Sequence, residues 1–154
     1  MSLARAVTPF ALTVVLVVPA LADVLPAAAA RARVEHHLGH VERLSTHFES
    51  VLTGTCPRFP SREAWDAYVE AESDRLVLLL AHLEQAWLEA KRTDDDDVRR
   101  AAKAPRRQSD KARQLVDKLS TCAELNGAAF SPLGLWRRVE RDVPRRQAEI
   151  ALPQ

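Results

Sequence analysis

Residues 61–92 form one amphipathic segment, and they read SREAWDAYVEAESDRLVLLLAHLEQAWLEAKR. The apolar residues recur with the spacing of a single helical face, and they are Trp65, Val69, Leu76, Leu79 or Leu80, Leu83, Trp87 and Ala90. Glu72 is the only charged residue on that face. This pattern predicts a helix of about nine turns, about 48 Å long at 1.5 Å per residue. Because one helix cannot bury its own apolar face, we expect other helices to pack along it.

The composition of the 154-residue chain favours a single all-α domain. The chain is rich in Ala, Leu, Val, Arg, Glu and Asp, and it contains only four Gly, one Tyr and four Phe. Alternating β-branched segments bounded by turn dipeptides do not occur after residue 30. We therefore expect an up-down antiparallel helical bundle over residues 23–144, with three long helices plus a short fourth, after a cleavable N-terminal signal segment.

The first thirty residues have the pattern of a secretory signal. Arg5 precedes an apolar run at residues 10–18, and Ala20 and Ala22 place small residues at the third and first positions before a cut. Residues 1–22 are therefore predicted to be a signal peptide, and the mature protein is expected to be periplasmic or secreted. The alternative is an uncleaved membrane anchor, because apolar residues continue to Ala30, although two prolines and Asp23 interrupt them.

The chain contains two cysteines, Cys56 and Cys122. In an exported protein such a pair is more typical of a disulfide than of two free thiols. The helix order predicts the same bond, since Cys56 lies in the turn before the long helix and Cys122 lies near the stop signal Asn126-Gly127 of the returning helix. The alternative is a redox-active pair, for which the usual Cys-x-x-Cys spacing is missing.

Four of the five histidines lie in the predicted first helix, at about residues 26–52. His36 and His40 lie one turn apart at the edge of the apolar face, where two imidazoles can share a metal ion. His37 points into the apolar face. His47 lies too far along the helix to reach the same ion, and only a second site or a bridging ligand would use it.

His82 is the fifth histidine, and an antiparallel pairing of the first two helices about the Cys56 turn places it within a turn of His36. Imidazole is a ligand of Zn, Cu, Ni and haem iron. His36, His40 and His82 therefore form a candidate metal or haem site, with Glu35 as a conceivable fourth ligand. The alternatives are solvated or partly packed histidines and a pH switch, because histidine gains its charge between about pH 7 and 5.

Opposite charges adjoin each other after the long helix. The four aspartates at residues 94–97 do not match the calcium loop of an EF-hand, and Thr93 as the N-cap of a new helix that Pro105 kinks or ends is the simpler interpretation. Residues 99–113 contain seven Lys or Arg against one Asp. No aromatic residue is interleaved with them, so we interpret this segment as a solvated face and expect no nucleic-acid partner.

Two further helices follow. Asp110 restarts a helix whose apolar face is Ala112, Leu115, Val116, Leu119, Cys122 and Ala123. Ser131-Pro132 is typical of a helix start, and Pro144 should end this last helix after about three turns. Residues 145–154 are then a flexible tail. A helix this short covers only part of the groove left by the other three, so an apolar strip should stay exposed.

The motif search favours binding over catalysis. The chain has no Cys-x-x-Cys-His, no Gly-rich phosphate loop, no Gly-x-Ser-x-Gly and no convincing acid/base pair of carboxylates. We therefore expect a small exported protein that is not an enzyme, needs no cofactor, and binds a protein or an envelope component through a helix face or groove. Membrane contact is expected only through a retained signal segment. The alternative is a metal- or haem-binding periplasmic protein that uses Zn, Cu or haem at His36, His40 and His82.

Overall fold

The computed structural model describes residues 24–103, 105 and 110–153, so the predicted signal peptide at residues 1–22 lies outside the described residues. The described residues form five helices, which are α1 (Ala27–Thr53), α2 (Arg62–Ala90), α3 (Asp96–Lys103), α4 (Asp110–Asn126) and α5 (Pro132–Ile150). They contain no strand, and the prediction of an all-α fold is confirmed for this part of the chain. Within this part of the chain, no helix combines the length and the apolar character that a membrane crossing needs.

The long helix predicted from residues 61–92 is α2. The side chain of Ser61 caps it by accepting a hydrogen bond from the backbone N–H of Ala64 at 3.3 Å. Glu63 lies in the first turn, where a negative charge favours the helix dipole. The predicted apolar face is buried, as Trp65 and Leu76 illustrate at 1 % and 0 % exposure. This face contacts α1, α3 and α5, so α2 holds the central position expected of it.

Two apolar clusters fill the interior. The larger one joins α1, α2, α4 and α5, and its buried members are Val41, Phe48, Trp65, Leu76, Val77, Leu79, Leu83, Ala112, Leu115, Val116, Leu119, Cys122, Ala123, Leu135 and Val139. The smaller one joins α1, the end of α2 and α3, and its members are Ala30, Val34, Ala90, Val98 and Ala102. Buried polar residues lie both within and between these clusters. Ser45 and Glu72 fall within the stretch of the larger cluster, and His37 and Gln85 fall between the two.

Cys56 and Cys122 form a disulfide, as predicted, with their Cα atoms 5.2 Å apart. Cys56 lies in the loop between α1 and α2, and Cys122 lies near the end of α4. Asn126 fastens the same loop, because its side-chain amide donates to the carbonyl of Pro57 at 3.0 Å and accepts from the backbone N–H of Phe59 at 3.1 Å. The loop before α2 is therefore tied to the end of α4 by one covalent bond and by hydrogen bonds.

The end of α4 and the start of α5 also follow local chemistry. Gly127 follows α4 with φ of +60°, a conformation that favours glycine, and the predicted stop at Asn126-Gly127 is confirmed. Ser131 caps α5 by accepting from the backbone N–H of Gly134 at 3.1 Å, and Pro132 occupies the first helical position.

The predicted end of the last helix at Pro144 was wrong, since α5 runs from Pro132 to Ile150 with Pro144 inside it. Pro144 is exposed, so the backbone carbonyl that loses its helical partner can bind water instead. An ion pair between Arg146 and Glu149, 2.8 Å apart, supports the final turn. Residues 145–150 are therefore helical and do not belong to the predicted tail, the last helix is longer than three turns, and the short helix of the fold is α3.

The predicted N-cap of α3 was wrong by two residues, because Asp95 and not Thr93 caps this helix. Oδ1 of Asp95 accepts hydrogen bonds from the backbone N–H groups of Asp97 at 2.9 Å and Val98 at 3.0 Å. The bond from Val98 is the main reason why the pKa of the Asp95 carboxyl is lowered. Thr93 is buried, and its hydroxyl accepts from the backbone N–H of Asp95 at 3.3 Å. Thr93 thus shapes the turn that places Asp95 at the cap.

Candidate functional site

Four of the five histidines lie together where α1 packs against α2. The rings of His40 and His82 are stacked, with centroids 4.3 Å apart and planes within 7°. The ring centroid of His36 lies 5.1 Å from that of His40 and 5.2 Å from that of His37, and His37 lies 5.3 Å from His82. We call these four residues the histidine cluster. It contains the three residues selected from sequence, and His37 in addition.

His37 and His82 form the buried centre of this cluster, with exposures of 0 % and 3 %. Their Nδ1 atoms lie 3.0 Å apart, which is hydrogen-bond distance. The Nε2 atom of His37 is buried without a hydrogen-bond partner. A neutral imidazole has one N–H group and one bare nitrogen. Whichever ring supplies the shared proton, His37 therefore keeps one unsatisfied nitrogen.

Burial sets the protonation state of this pair. Desolvation, followed by the charge of neighbouring imidazoles, lowers the pKa of His37 to about 4 and the pKa of His82 to about 3. The pKa of His40 is lowered as well, mainly by desolvation and then by Arg43. His37 and His82 are therefore neutral at pH 7, and each ring holds a lone pair that can accept a hydrogen bond or a metal ion.

A buried polar stripe continues along α2 beyond His82. Gln85 donates to Oε1 of Glu89 at 3.0 Å, and Arg92 donates to Oε2 of Glu89 at 3.3 Å. Arg33 of α1 lies 3.8 Å from the same carboxylate. Glu89 is 2 % exposed. The prediction that Glu72 is the only charged residue on the apolar face of α2 was therefore wrong. The spacing of residues 82, 85 and 89 repeats steps of three and four, and this signal could have revealed the stripe.

His47, the fifth histidine, has a different partner. Its Nε2 lies 2.8 Å from Oε2 of Glu72, whose other oxygen accepts from Arg75 at 2.7 Å. Glu72 is 2 % exposed, and a buried carboxylate needs such partners because an unpaired charge is costly to bury. His47 therefore stabilises a buried carboxylate on α2 and lies outside the histidine cluster.

The donor atoms of the cluster offer two ligands to one ion. Among the described residues, no three His, Cys, Asp or Glu side chains are arranged to hold a metal ion. The Nδ1 atoms of His37 and His82 are close enough for one ion to lie 2.0–2.1 Å from both, the usual distance from imidazole nitrogen to zinc. His36 and Glu35 are exposed and His40 is half-buried, so these residues reach such an ion only after their side chains rotate.

Three surface clefts lie elsewhere. Clefts of about 340 and 390 Å³ meet at Trp65 and Ala129, beside the start of α2, and a third of about 320 Å³ lies beside Ser45 of α1. None of the three is lined by a residue of the histidine cluster. Bound haem needs an apolar slot next to its axial ligand, so these clefts do not fit a haem against the cluster.

Comparison of the chain with protein-family models, with curated proteins and with solved structures finds no match.

Proposed function

We propose that this chain is an exported helical-bundle protein, periplasmic or secreted, that acts by binding and not by catalysis. Residues 1–22 have the pattern of a cleavable signal peptide. The disulfide between Cys56 and Cys122 supports the same location, because such bonds form and persist in oxidising compartments. Both features would follow from passage of the chain out of a reducing cytoplasm.

An up-down antiparallel arrangement is part of this proposal. The backbone N–H of Leu25, just before α1, donates to the carbonyl of Arg92, just after α2, at 2.6 Å. Further along α1, His47 pairs with Glu72, near the start of α2. Residues with higher numbers along α1 therefore contact residues with lower numbers along α2. Antiparallel helices would produce this order of contacts.

The ligand that the geometry supports best is a transition-metal ion at the histidine cluster, and the observation that carries this proposal is the buried contact between His37 and His82. This contact holds two neutral imidazoles 3.0 Å apart, with the rings of His36 and His40 beside them. Neutral imidazole nitrogen suits Zn, Cu and Ni. His36 and His40 would then complete the ligand set from the edge of α1.

Metal binding is expected to raise the thermal stability of the purified, untagged protein. An ion present at a hundredfold excess over its Kd stabilises the folded state by about 2.7 kcal/mol. The measurement is thermal unfolding with Zn(II), Cu(II), Ni(II) or haemin, and we expect haemin to give no shift because none of the three clefts described above is lined by a residue of the cluster. His47→Gln is the matched control, since it removes a histidine outside the cluster, and it should keep the metal shift. A protein whose stability none of the three ions changes would contradict the metal site.

A protein or envelope partner is the second candidate, and exposed apolar side chains favour it. Leu125 is 51 % exposed and Leu133 is 61 % exposed, and each is next in sequence to a residue that lines one of the two clefts meeting at Trp65. Exposed apolar side chains can contribute to an interaction surface. Leu125→Ser combined with Leu133→Ser should reduce cross-linking of the protein to its partner in the intact envelope. Val24→Ser changes an exposed apolar residue before α1, and equal cross-linking of both variants would contradict this surface.

A further inference from the structure

We propose that residues 151–153, which follow α5, form a strap that closes over the seam between α1 and α2 at Arg33, and that release of this strap admits water to the histidine cluster. The inference goes beyond the proposed function, because it assigns a moving part to the fold. It does not depend on metal binding.

One side chain of α1 anchors the strap. Nη2 of Arg33 donates to the carbonyl of Pro153 at 2.6 Å, and Nη1 donates to the carbonyl of Leu152 at 3.4 Å. Leu152 is half-buried, whereas Ala151 and Pro153 on either side of it are exposed. Hydrogen bonds from a charged donor are stronger than those between neutral groups. A single guanidinium group therefore fixes the backbone of the strap on α1.

The buried carboxylate of Glu89 holds this anchor in place whether or not the strap is bound. It lies 3.8 Å from Nη1 of Arg33, and it also accepts hydrogen bonds from Gln85 and Arg92. A carboxylate that is 2 % exposed needs such partners, because an unpaired charge is costly to bury. Arg33 therefore stays oriented by Glu89 when the strap leaves, and the returning strap finds a preformed site.

The open and closed states of the strap are close in free energy. The closed state fixes the backbone of three residues, which costs conformational entropy, and the hydrogen bond to Pro153 is exposed to water. It also keeps Nε2 of His37 buried without a hydrogen-bond partner, which is unfavourable. Water that enters when the strap opens offers this nitrogen a partner. Opening therefore recovers part of the free energy that the loss of the two bonds from Arg33 costs.

The anchor lies next to the histidine cluster. Arg33 is one helical turn before His37 on α1, and the charges of Arg33 and Glu89 both act on the His37 ring. On α2, Gln85 binds Glu89 and lies one turn after His82. These side chains form a continuous polar path from the strap to the two buried rings, and water would enter along it.

The test measures how readily a reagent dissolved in water reaches the histidine rings. Diethyl pyrocarbonate acylates a neutral imidazole nitrogen and releases ethanol and carbon dioxide, and mass spectrometry identifies each modified ring. The whole purified protein is used in EDTA, so that metal ions play no part. Cleavage after arginine leaves His82 and His47 each as the only histidine of a peptide, so the rate at each ring is measurable.

We expect His37 and His82 to be protected in wild type and to react about tenfold faster in a chain that ends at Ile150, because protection is lost with the closed state. Arg33→Gln should act in the same direction, since it removes the anchor of the strap. His47 lies outside the cluster, so it is the internal reference and should keep its rate.

Arg31→Gln is the matched control. Arg31 lies on the same helix and pairs with Asp95 at 3.8 Å, and it does not bind the strap, so this variant should react as wild type does. Equal rates at His82 in wild type and in the shortened chain would overturn the inference. A rise of the same size at His47 would indicate a general loosening of the fold and would overturn it as well.

The ¹⁵N relaxation of the Leu152 backbone amide reports on the strap directly. In wild type we expect exchange between two states on the microsecond-to-millisecond timescale, which is typical of lids, and in Arg33→Gln we expect fast motion of a released segment. A Leu152 amide that stays as rigid as α5 in Arg33→Gln would overturn the role of Arg33. Every measurement is made without metal, so failure of the proposed metal site changes none of these results.

Discussion

Removal of the Cys56–Cys122 disulfide is expected to lower the free energy of unfolding by about 4 kcal/mol. The two cysteines are 66 positions apart, and the chain-entropy description of a cross-link that closes a loop of this length yields that value. Domains of this size are stable by about 5–15 kcal/mol, so the bond supplies a large share of the total.

Urea unfolding of Cys56→Ala with Cys122→Ala, compared with oxidised wild type, measures this contribution. The hydrogen bonds from Asn126 to the same loop remain, so we expect the helical circular-dichroism spectrum to persist at low temperature while the unfolding midpoint falls. Wild type reduced with dithiothreitol should behave like the double variant. A decrease of less than about 1 kcal/mol in the free energy of unfolding would contradict this prediction. The loop would then be held by those hydrogen bonds and by packing, and not by the disulfide.

Acid is expected to destabilise the metal-free protein through His37 and His82 as the pH falls from about 6.5 towards the folded-state pKa values of about 4 and about 3. Burial lowers the pKa of these imidazoles to about 4 and about 3 in the folded protein, against about 6.5 in the unfolded chain. Below pH 6.5 the unfolded chain therefore binds more protons than the folded one, so stability is complete above pH 6.5 and is lost as the pH falls. From pH 7.5 to pH 5 the loss is about 2 kcal/mol for each histidine.

The variant that tests this effect is His37→Leu with His82→Leu, which replaces both partners of the contact by apolar groups. Replacing both partners of a buried polar contact is close to neutral at pH 7.5, so the variant should differ from wild type mainly at pH 5. The charged or titratable groups that act on the pair, all retained in the variant, are His36, His40, Arg33 and Arg43 on α1 and Glu89 on α2. Chemical unfolding at both pH values in EDTA measures the difference. An equal acid effect in the leucine variant would contradict the assignment.

Periodicity and local capping made most of the helices predictable. The apolar repeat located α2, and the capping serines Ser61 and Ser131 and the stop at Gly127 marked their helix ends correctly. These features are local, because the side chain and the backbone group that meet are only a few residues apart. The pairing of Cys56 with Cys122 was also predictable, since it needed only the order of the helices.

The predictions that were wrong concern features that depend on how neighbouring helices pack and on exposure to water. A proline breaks a helix where the backbone is buried. Pro144 lies on an exposed face, where water can replace the missing hydrogen-bond partner, so α5 continues through it. The identity of the residue does not reveal whether its position is exposed. The burial of Glu89 depends likewise on the packing of α1, which brings Arg33 to within 3.8 Å of it. The sequence alone predicts that a charged residue beside an apolar stripe is exposed to solvent, because the position of the neighbouring helix is not known.

The candidate site divides in the same way. By itself the sequence predicted that His36, His40 and His82 would lie near one another, because helical spacing places the first two one turn apart and the expected pairing of the first two helices brings His82 beside them. Only the tertiary structure decided that His37 faces His82 with its nitrogen 3.0 Å away, and that both rings are withdrawn from water. The physical reason is that desolvation and atom-to-atom distance depend on how two helices are rotated against each other, and residue spacing along one chain does not encode that rotation.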